Sequence, residues 1–579
     1  MHKGNLNRKA FLKKTALITG ALILLFLLVL SSIFVVKPPF LNYWIENNIN
    51  KKLQKASSGL YHFGYSAIKI DMTGPSIHVT DFTIYTDSLS TADSVLIQNK
   101  TQGEHPRAAI INFKATEVNA KGISLLSLLL FNKLKLDSLN ISQPVIHLNL
   151  TGDGKHETAQ NPEMALQDGI RKQTLELLKT VSIGKINISK GNMIVVDRRA
   201  KSELQAGLYN FNISLHDILL NKKNIAAPET IMGAGQLQLS AEKLELPSRN
   251  ELYTFTMDSV QIDSKDSSLS VRRVQYIPLY SKKEFHQKTG IAIDRMDFNF
   301  SDIKSAGADI PALINKQELR VRHLYINGGV MDFFKNKLYP KPERNFTGKY
   351  PHQLLLRSNL PIRIDSISLR QFQVHYGELS HNTGKAGVIR FENTHGTITN
   401  LTNDSLRIAE DPLCKVDVIS SFMNEGTLNA YFRFPLNTPN GSFSCGGKMN
   451  NFDMPHMNEV VSALTYVGIQ SGKANRLDFN MNATDHAATI TMDLEYDNLK
   501  IDLYKPLKGS NELKKRTFLM KLINGIVIQQ DNPRNNNPVR QGKATAQRDS
   551  DQSFFNFIWT TIQQPVIRIV TGKDDRDEH

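Results

Sequence analysis

Apolar and polar positions along this chain recur with a distinctive spacing. In residues 321–337, VRHLYINGGVMDFFKNK, apolar side chains fall at Val321, Leu324, Ile326, Met331 and Phe333, and most other positions are polar or glycine. The same offsets return at Ile364, Ile367, Leu369, Val374 and Tyr376, and at Ile183, Ile186, Ile188, Met193 and Val195. A fourth copy holds Leu136, Leu139, Ile141, Ile146 and Leu148. The interval of five recurs from Met72 to Ile77 and from Leu239 to Leu244. Alternation with period two marks strands with one apolar face. Each copy is predicted to be a short hairpin, two alternating arms around a tight turn, with Lys, Asp, Asn, Ser and His on the opposite face. The fold class that follows is mainly β, an antiparallel sheet with one wet face and few helices.

The ends of the chain read differently. Residues 16–36, ALITGALILLFLLVLSSIFVV, are uncharged and long enough to cross a hydrocarbon core about 30 Å thick. Lys3, Arg8, Lys9, Lys13 and Lys14 precede them without an acidic residue, which places the tail 1–15 in the cytoplasm and everything after Lys37 across the membrane. A cleaved signal peptide is the competing reading, but the run is long for one and no A-x-A-like site follows. Residues 37–56 suit a juxtamembrane amphipathic helix. The repeated β-hairpin region spans 57–399, broken by a short helix or buried strand at 123–131 and an amphipathic helix at 162–181. A denser β module occupies 400–510 and contains a helix in MPHMNEVVSALTYVG. A helix at 511–528, a flexible linker rich in Pro, Asn, Gln and Lys at 529–552, and an apolar closing segment with a charged tail at 553–579 complete the expected order.

With 70 Lys+Arg against 55 Asp+Glu the chain carries a formal charge of +15. Apart from the N-terminus the basic residues are scattered through β-like segments, which argues against nucleic acid as a partner. Cys414 and Cys445, the only cysteines, fall in phase with apolar neighbours and read as buried small hydrophobes; a disulfide has no framework of spacings to support it. No nucleophile elbow, H-E-x-x-H, phosphate loop or dinucleotide fingerprint occurs. Asp71 with His78, His216 with Asp217, and His456 with Glu459 are the pairs that could be promoted to chemistry, and each also reads as a solvated polar face. His147, His323 and His375 lie near the repeats but not at one offset, which disfavours a shared metal. No metal, cofactor or enzymatic activity is expected.

The basic anchor, KIDMTGPSIHVTDFTI close behind it, hairpins such as LDSLNISQPVIHLNL, and a terminal region with GTLNAYFRFPL, IQSGKANRLDFNMNATDHAATITMDLEYDNLKIDL and FFNFIWTTIQQPVIRIVTG together resemble the AsmA-like proteins of Gram-negative inner membranes. The resemblance covers most of the chain beyond residue 40 and rests on the order of soft motifs. It implies an inner-membrane protein with a periplasmic body, a long bent antiparallel sheet shaped as a groove. It also implies phospholipid or another acyl-chain lipid as partner, and a link to outer-membrane lipid homeostasis, with outer-membrane or other envelope proteins as further partners. No family catalytic residues exist to carry over.

A continuous apolar face must be covered by a second layer or by a ligand. The twenty repeat positions named above are therefore the expected lining of a lipid groove. The alternative is a non-enzymatic scaffold or assembly factor whose sheet packs on itself. An open apolar face distinguishes the first from the second.

Overall fold

The computed structural model describes residues 61–71, 73–86, 109–124, 127, 130–131, 133–150, 179–197, 204–221, 231, 233–248, 250–343, 345–506, 513–515, 528–534 and 537–572. The expected tail, membrane anchor and juxtamembrane helix at 1–56 lie outside them, as does the expected helix at 162–181 up to residue 178. Among the described residues no helix is long and apolar enough to cross a membrane. The structure is mainly β. It divides into two compact units, Met1–Arg273 with Gly307–Glu318, and Val274–Ala306 with Leu319–His579.

The first unit contains β1 (His62–Gly64), β2 (Ala67–Asp71), β3 (Ser76–Tyr85), β4 (Ala109–Lys121), β5 (Lys133–Ser142), β6 (Val145–Leu150), β7 (Thr180–Asp197), β8 (Leu204–Leu220), β9 (Gln236–Pro247) and β10 (Tyr253–Asp263), and the start of β11 (Ser268–Pro278). β2 and β3 form a true hairpin, Asp71 opposite Ser76, and β1 also pairs with β3. Its turn is tied by Asp71, whose Oδ1 accepts from the Thr73 amide at 2.9 Å and the Thr73 hydroxyl at 2.7 Å. β5 and β6 do not pair with each other. They follow one another along the same edge, antiparallel to β4 and parallel to β7.

The second unit begins within β11 and contains β12 (Arg295–Ala308) up to Ala306, β13 (Leu319–Ile326), β14 (Gly329–Asn336), β15 (Ile362–Leu379), β16 (Ala386–Thr402), β17 (Leu413–Phe422), β18 (Gly426–Pro435), β19 (Phe443–Asp453), β20 (Val467–Ala483), β21 (Ala487–Pro506), β22 (Leu513–Lys515) and β23 (Gln541–Gln547). Its helices are α1 (Lys282–Thr289), α2 (Pro351–Leu356), α3 (Ser405–Glu410), α4 (Asn458–Leu464) and α5 (Phe554–Thr571). Again β13 and β14 run in series, both parallel to β15, and β14 is antiparallel to β12. Antiparallel pairing then continues from β15 through β21.

These pairings correct the hairpin reading and the all-antiparallel sheet. Copies 183–195 and 364–376 each lie inside one long strand, β7 and β15, and copies 136–148 and 321–333 are strands in series. Odd intervals of three and five would put apolar residues on opposite faces of a regular strand, so the pleat must be broken twice. At the longer interval the register shifts between Ile188 and Met193 and between Leu369 and Val374. There Lys190 and Gln371 take the left-handed conformation, both with φ 54°. At the shorter interval the ladder skips a pair, with Asp217 (φ 54°) opposite Gly184 and Asn400 (φ 57°) opposite Asp365. Bulges re-aim side chains in this way without ending the strand.

Three other expectations change. Residues 541–547 of the predicted flexible linker form β23, paired with β21, because its small Gly542, Ala544 and Ala546 face inward. Residues 513–515 of the predicted helix at 511–528 are strand β22 instead, paired with Tyr504–Pro506. The helix expected in 454–468 is shorter, a 3-10 turn at Met454–Met457 followed by α4, and β20 begins at Val467. The closing segment is helical, with Pro565 inside α5.

Candidate functional site

Apolar repeat positions meet one another across the strands. In the first unit Leu136 stands opposite Ile183, Leu139 opposite Ile186, Ile141 opposite Ile188, Ile146 opposite Met193 and Leu148 opposite Val195. All ten are at most 4% exposed. This face is closed, and it leaves no room for a ligand against those side chains.

The second unit repeats the same register, Val321 with Ile364, Leu324 with Ile367, Ile326 with Leu369, Met331 with Val374 and Phe333 with Tyr376. Here Val321, Phe333, Ile364, Ile367 and Tyr376 are buried, whereas Leu324, Ile326, Met331, Leu369 and Val374 are only half-buried. The half-buried positions extend into rows. Phe298, Met331, Val374, Phe391 and Phe422 pair in turn across β12, β14, β15, β16 and β17. All five are half-buried and none carries a polar side chain. At 4.7–4.9 Å per strand such a row is about 19 Å wide. Leu324, Ile367, Ile398 and Val416 form a second row on the same face, in which Ile367 is buried and the other three are half-buried.

Aromatic rings thicken the first row. Phe298 lies 5.2 Å from Phe333, Phe300 lies 5.8 Å from Phe372, and Phe391 lies 5.5 Å from Phe422. Gly329 is required beneath Phe372, since a Cβ there would come within 2.5 Å of the ring. Phe555 of α5, itself 37% exposed, reaches Phe333 at 5.1 Å.

Beyond these rows the face is sealed. Phe554 of α5 packs against Tyr350, Phe432, Phe434 and Phe443, and Phe557 and Ile569 are fully or almost fully buried. α4 lies over β16, where Arg390 pairs with Glu459 and Gly387 abuts Val460. A buried polar knot ties the β20–β21 turn to this layer: Asp485 accepts from the Gly348 amide at 2.9 Å and from Gln353 Nε2 at 2.7 Å, with Arg548 at 3.4 Å. The Arg548 guanidinium also stacks 4.2 Å from the Tyr350 ring centre.

The polar pairs singled out in the sequence do not assemble into a catalytic group. Asp71 is committed to its turn. His216 Nε2 contacts Ser214 Oγ at 3.1 Å, and His456 lies nearer Glu425, at 3.8 Å, while Glu459 takes Arg390. His323 is clamped between Ser366 Oγ at 2.5 Å and Ser368 Oγ at 2.9 Å, and His375 Nε2 bonds Glu392 at 2.8 Å. Among the described residues no three His, Cys, Asp or Glu side chains are placed to hold a metal. Cys414 and Cys445 are buried free thiols, and burial raises the pKa of each, to about 11 and about 12.

No family model matches the chain, and no curated protein matches it.

Proposed function

We propose that the second unit holds phospholipid acyl chains against its half-buried apolar rows, in a protein anchored in the inner membrane through residues 16–36, with its body in the periplasm. The observation that carries this reading is the row Phe298, Met331, Val374, Phe391 and Phe422, five strands wide, wholly apolar and left half-buried. Acyl chains ask only for a dry, non-directional surface, and each methylene removed from water contributes about 0.8 kcal/mol. Headgroups stay in solvent, so no special polar constellation is needed. This is also the role implied by the resemblance to AsmA-like proteins, and it requires no catalytic residue.

A scaffold or assembly role is the second reading, and the closed face of the first unit favours it. Ten repeat residues there are packed to 4% exposure or less, as in an ordinary core. The two roles can coexist, with the first unit as support and the second as carrier.

Native mass spectrometry with lipid extraction on the full chain, released from a non-ionic detergent, tests the lipid reading. We expect phospholipid at a reproducible stoichiometry, lost in Met331→Asp and Val374→Asp variants that keep the wild-type circular dichroism. A folded wild-type protein that is consistently empty overturns the lipid reading and leaves the scaffold.

A further inference from the structure

We propose that the polar face of the first unit carries a phosphate-binding site built around Lys114 and Lys190. A depression of about 420 Å³ opens there, lined by both lysines together with Thr116, Gln143, Val145, Asn192 and Asn210. It sits on a line of bulges, since Gln143 (φ 49°), Lys190 (φ 54°) and Asn210 (φ 46°) all take the left-handed conformation. Lys114, Val145 and Asn192 form one cross-strand row on the face opposite Phe113, Ile146 and Met193.

The chemistry of the lining is one-sided. It holds two ammonium groups, one hydroxyl and three side-chain amides, and no carboxylate. Two of the three amide oxygens are occupied: Gln143 Oε1 accepts from Thr116 Oγ1 at 3.1 Å, and Asn192 Oδ1 accepts from the Asn210 backbone amide at 3.1 Å. Their NH₂ groups remain as donors. Glu242 is the carboxylate bonded to a lining residue, accepting from Asn210 Nδ2 at 3.1 Å. Among the described residues neither lysine makes an ion pair. Lysine acts toward phosphate as a mobile point charge, and the side-chain amide donors complete the shell of its oxygens, the Thr116 hydroxyl being committed to Gln143.

The second unit repeats the register of these strands without the two lysines. Phe113 faces Ile146 as Phe298 faces Met331, and Met193 faces Leu208 as Val374 faces Phe391. By that register Thr116, Val145 and Asn210 correspond to Ser301, Val330 and Asn393, so hydroxyl, valine and asparagine are kept. Asn192 corresponds to Gln373, still an amide, and Gln143 to Gly328. Lys114 and Lys190 correspond to Asn299 and Gln371. The bulge alone therefore does not call for lysines. Their presence at both positions of the first unit is what the phosphate reading explains, and it does not depend on acyl chains binding elsewhere.

The counterpart supplies the substitutions for the test. The full chain and its Lys114→Asn/Lys190→Gln variant, each checked by circular dichroism, are titrated calorimetrically with inorganic phosphate, glycerol phosphate and monomeric dihexanoylphosphatidylglycerol. We expect saturable binding by the wild type that weakens roughly tenfold or more in the variant and with rising salt. Binding of all three probes assigns the site to free phosphate as well as lipid; binding of the short lipid alone assigns it to a headgroup. A reciprocal Asn299→Lys/Gln371→Lys variant is expected to add a second binding equivalent. Equal binding by wild type and the lysine-free variant, or no saturable binding of any probe, overturns the proposal.

Discussion

Leu139 of β5 stands opposite Ile186 of β7 on a parallel neighbour, and both occupy the second place of the same five-residue pattern. The sequence repeat is thus also a contact map: equivalent residues of two copies touch. Leu139 is fully buried, whereas Leu324, at the same place in another copy, is half-buried. Leu139→Ala is expected to cost about 2–5 kcal/mol, and Leu324→Ala roughly half as much or less. Guanidinium unfolding followed by circular dichroism checks the difference, and equal costs would show that the second unit's row is as tightly packed as the first.

The bulge at Gln371 makes a sharper demand. At φ 54° a Cβ is strained, and a β-branched side chain more so. Gln371→Gly is expected to stabilise by up to about 1 kcal/mol and Gln371→Val to destabilise by about 1–2 kcal/mol. A ranking of Gly above Gln above Val in unfolding midpoint is the outcome to look for; a Gln371→Val variant as stable as the wild type would mean that the strand straightens there.

These bulges also mark where the sequence stops being readable. The apolar face is legible locally from Ile367 and Leu369, because alternation reports a face directly. A turn and a bulge, however, leave the same trace, an odd interval near a Gly, Pro or polar residue. Gln143-Pro144 and Asn327-Gly328 look like turns, yet Lys190 and Gln371 occupy the same offset inside unbroken strands. Only pairing across distant sequence separates the cases. β23 is hidden for another reason. Gly542, Ala544 and Ala546 carry too little side chain to register as an apolar stripe, although they are packed under a helix. Half-burial at Met331 and Val374 is likewise invisible, since the cover on this face comes from distant sequence such as Phe555 of α5, which reaches Phe333. Lys114 and Lys190 carry no mark in the apolar pattern, which tracks the opposite face.

His352 gives the second unit an acid limit. It is 3% exposed, and both ring nitrogens lack a partner. Burial lowers its pKa from 6.5 to about 4, against the opposing pull of Asp485. The folded state therefore binds fewer protons than the unfolded state between those values. Its stabilising effect is complete above pH 6.5 and is lost as the pH falls toward about 4, on the order of 3 kcal/mol over that window. His352→Phe should fit beside Phe434, whose ring lies 5.1 Å from the imidazole, and should remove that part of the acid sensitivity. Unfolding midpoints at pH 7 and pH 4.5 for both proteins test it; identical acid losses would assign the sensitivity to carboxylates instead.

Gly542 joins β23 to α5, and its substitution tests whether this layer is structural. A Cβ there would sit 2.7 Å from both Cβ and the backbone oxygen of Pro565 and 3.0 Å from Ile569. The oxygen belongs to the helix backbone and cannot rotate away, so relief requires α5 to lift from the strand. Lifting it would expose Phe557 and Ile569, which lie on its own buried face. Gly542→Val is expected to destabilise by about 1–3 kcal/mol. Because β15 through β21 are held by ladders to one another, release of the helix should leave them paired. Limited proteolysis separates the outcomes: early cleavage within 548–572 in the variant, with the remainder intact, follows from a docked helix, whereas an unchanged pattern would return 529–552 to the role of a linker.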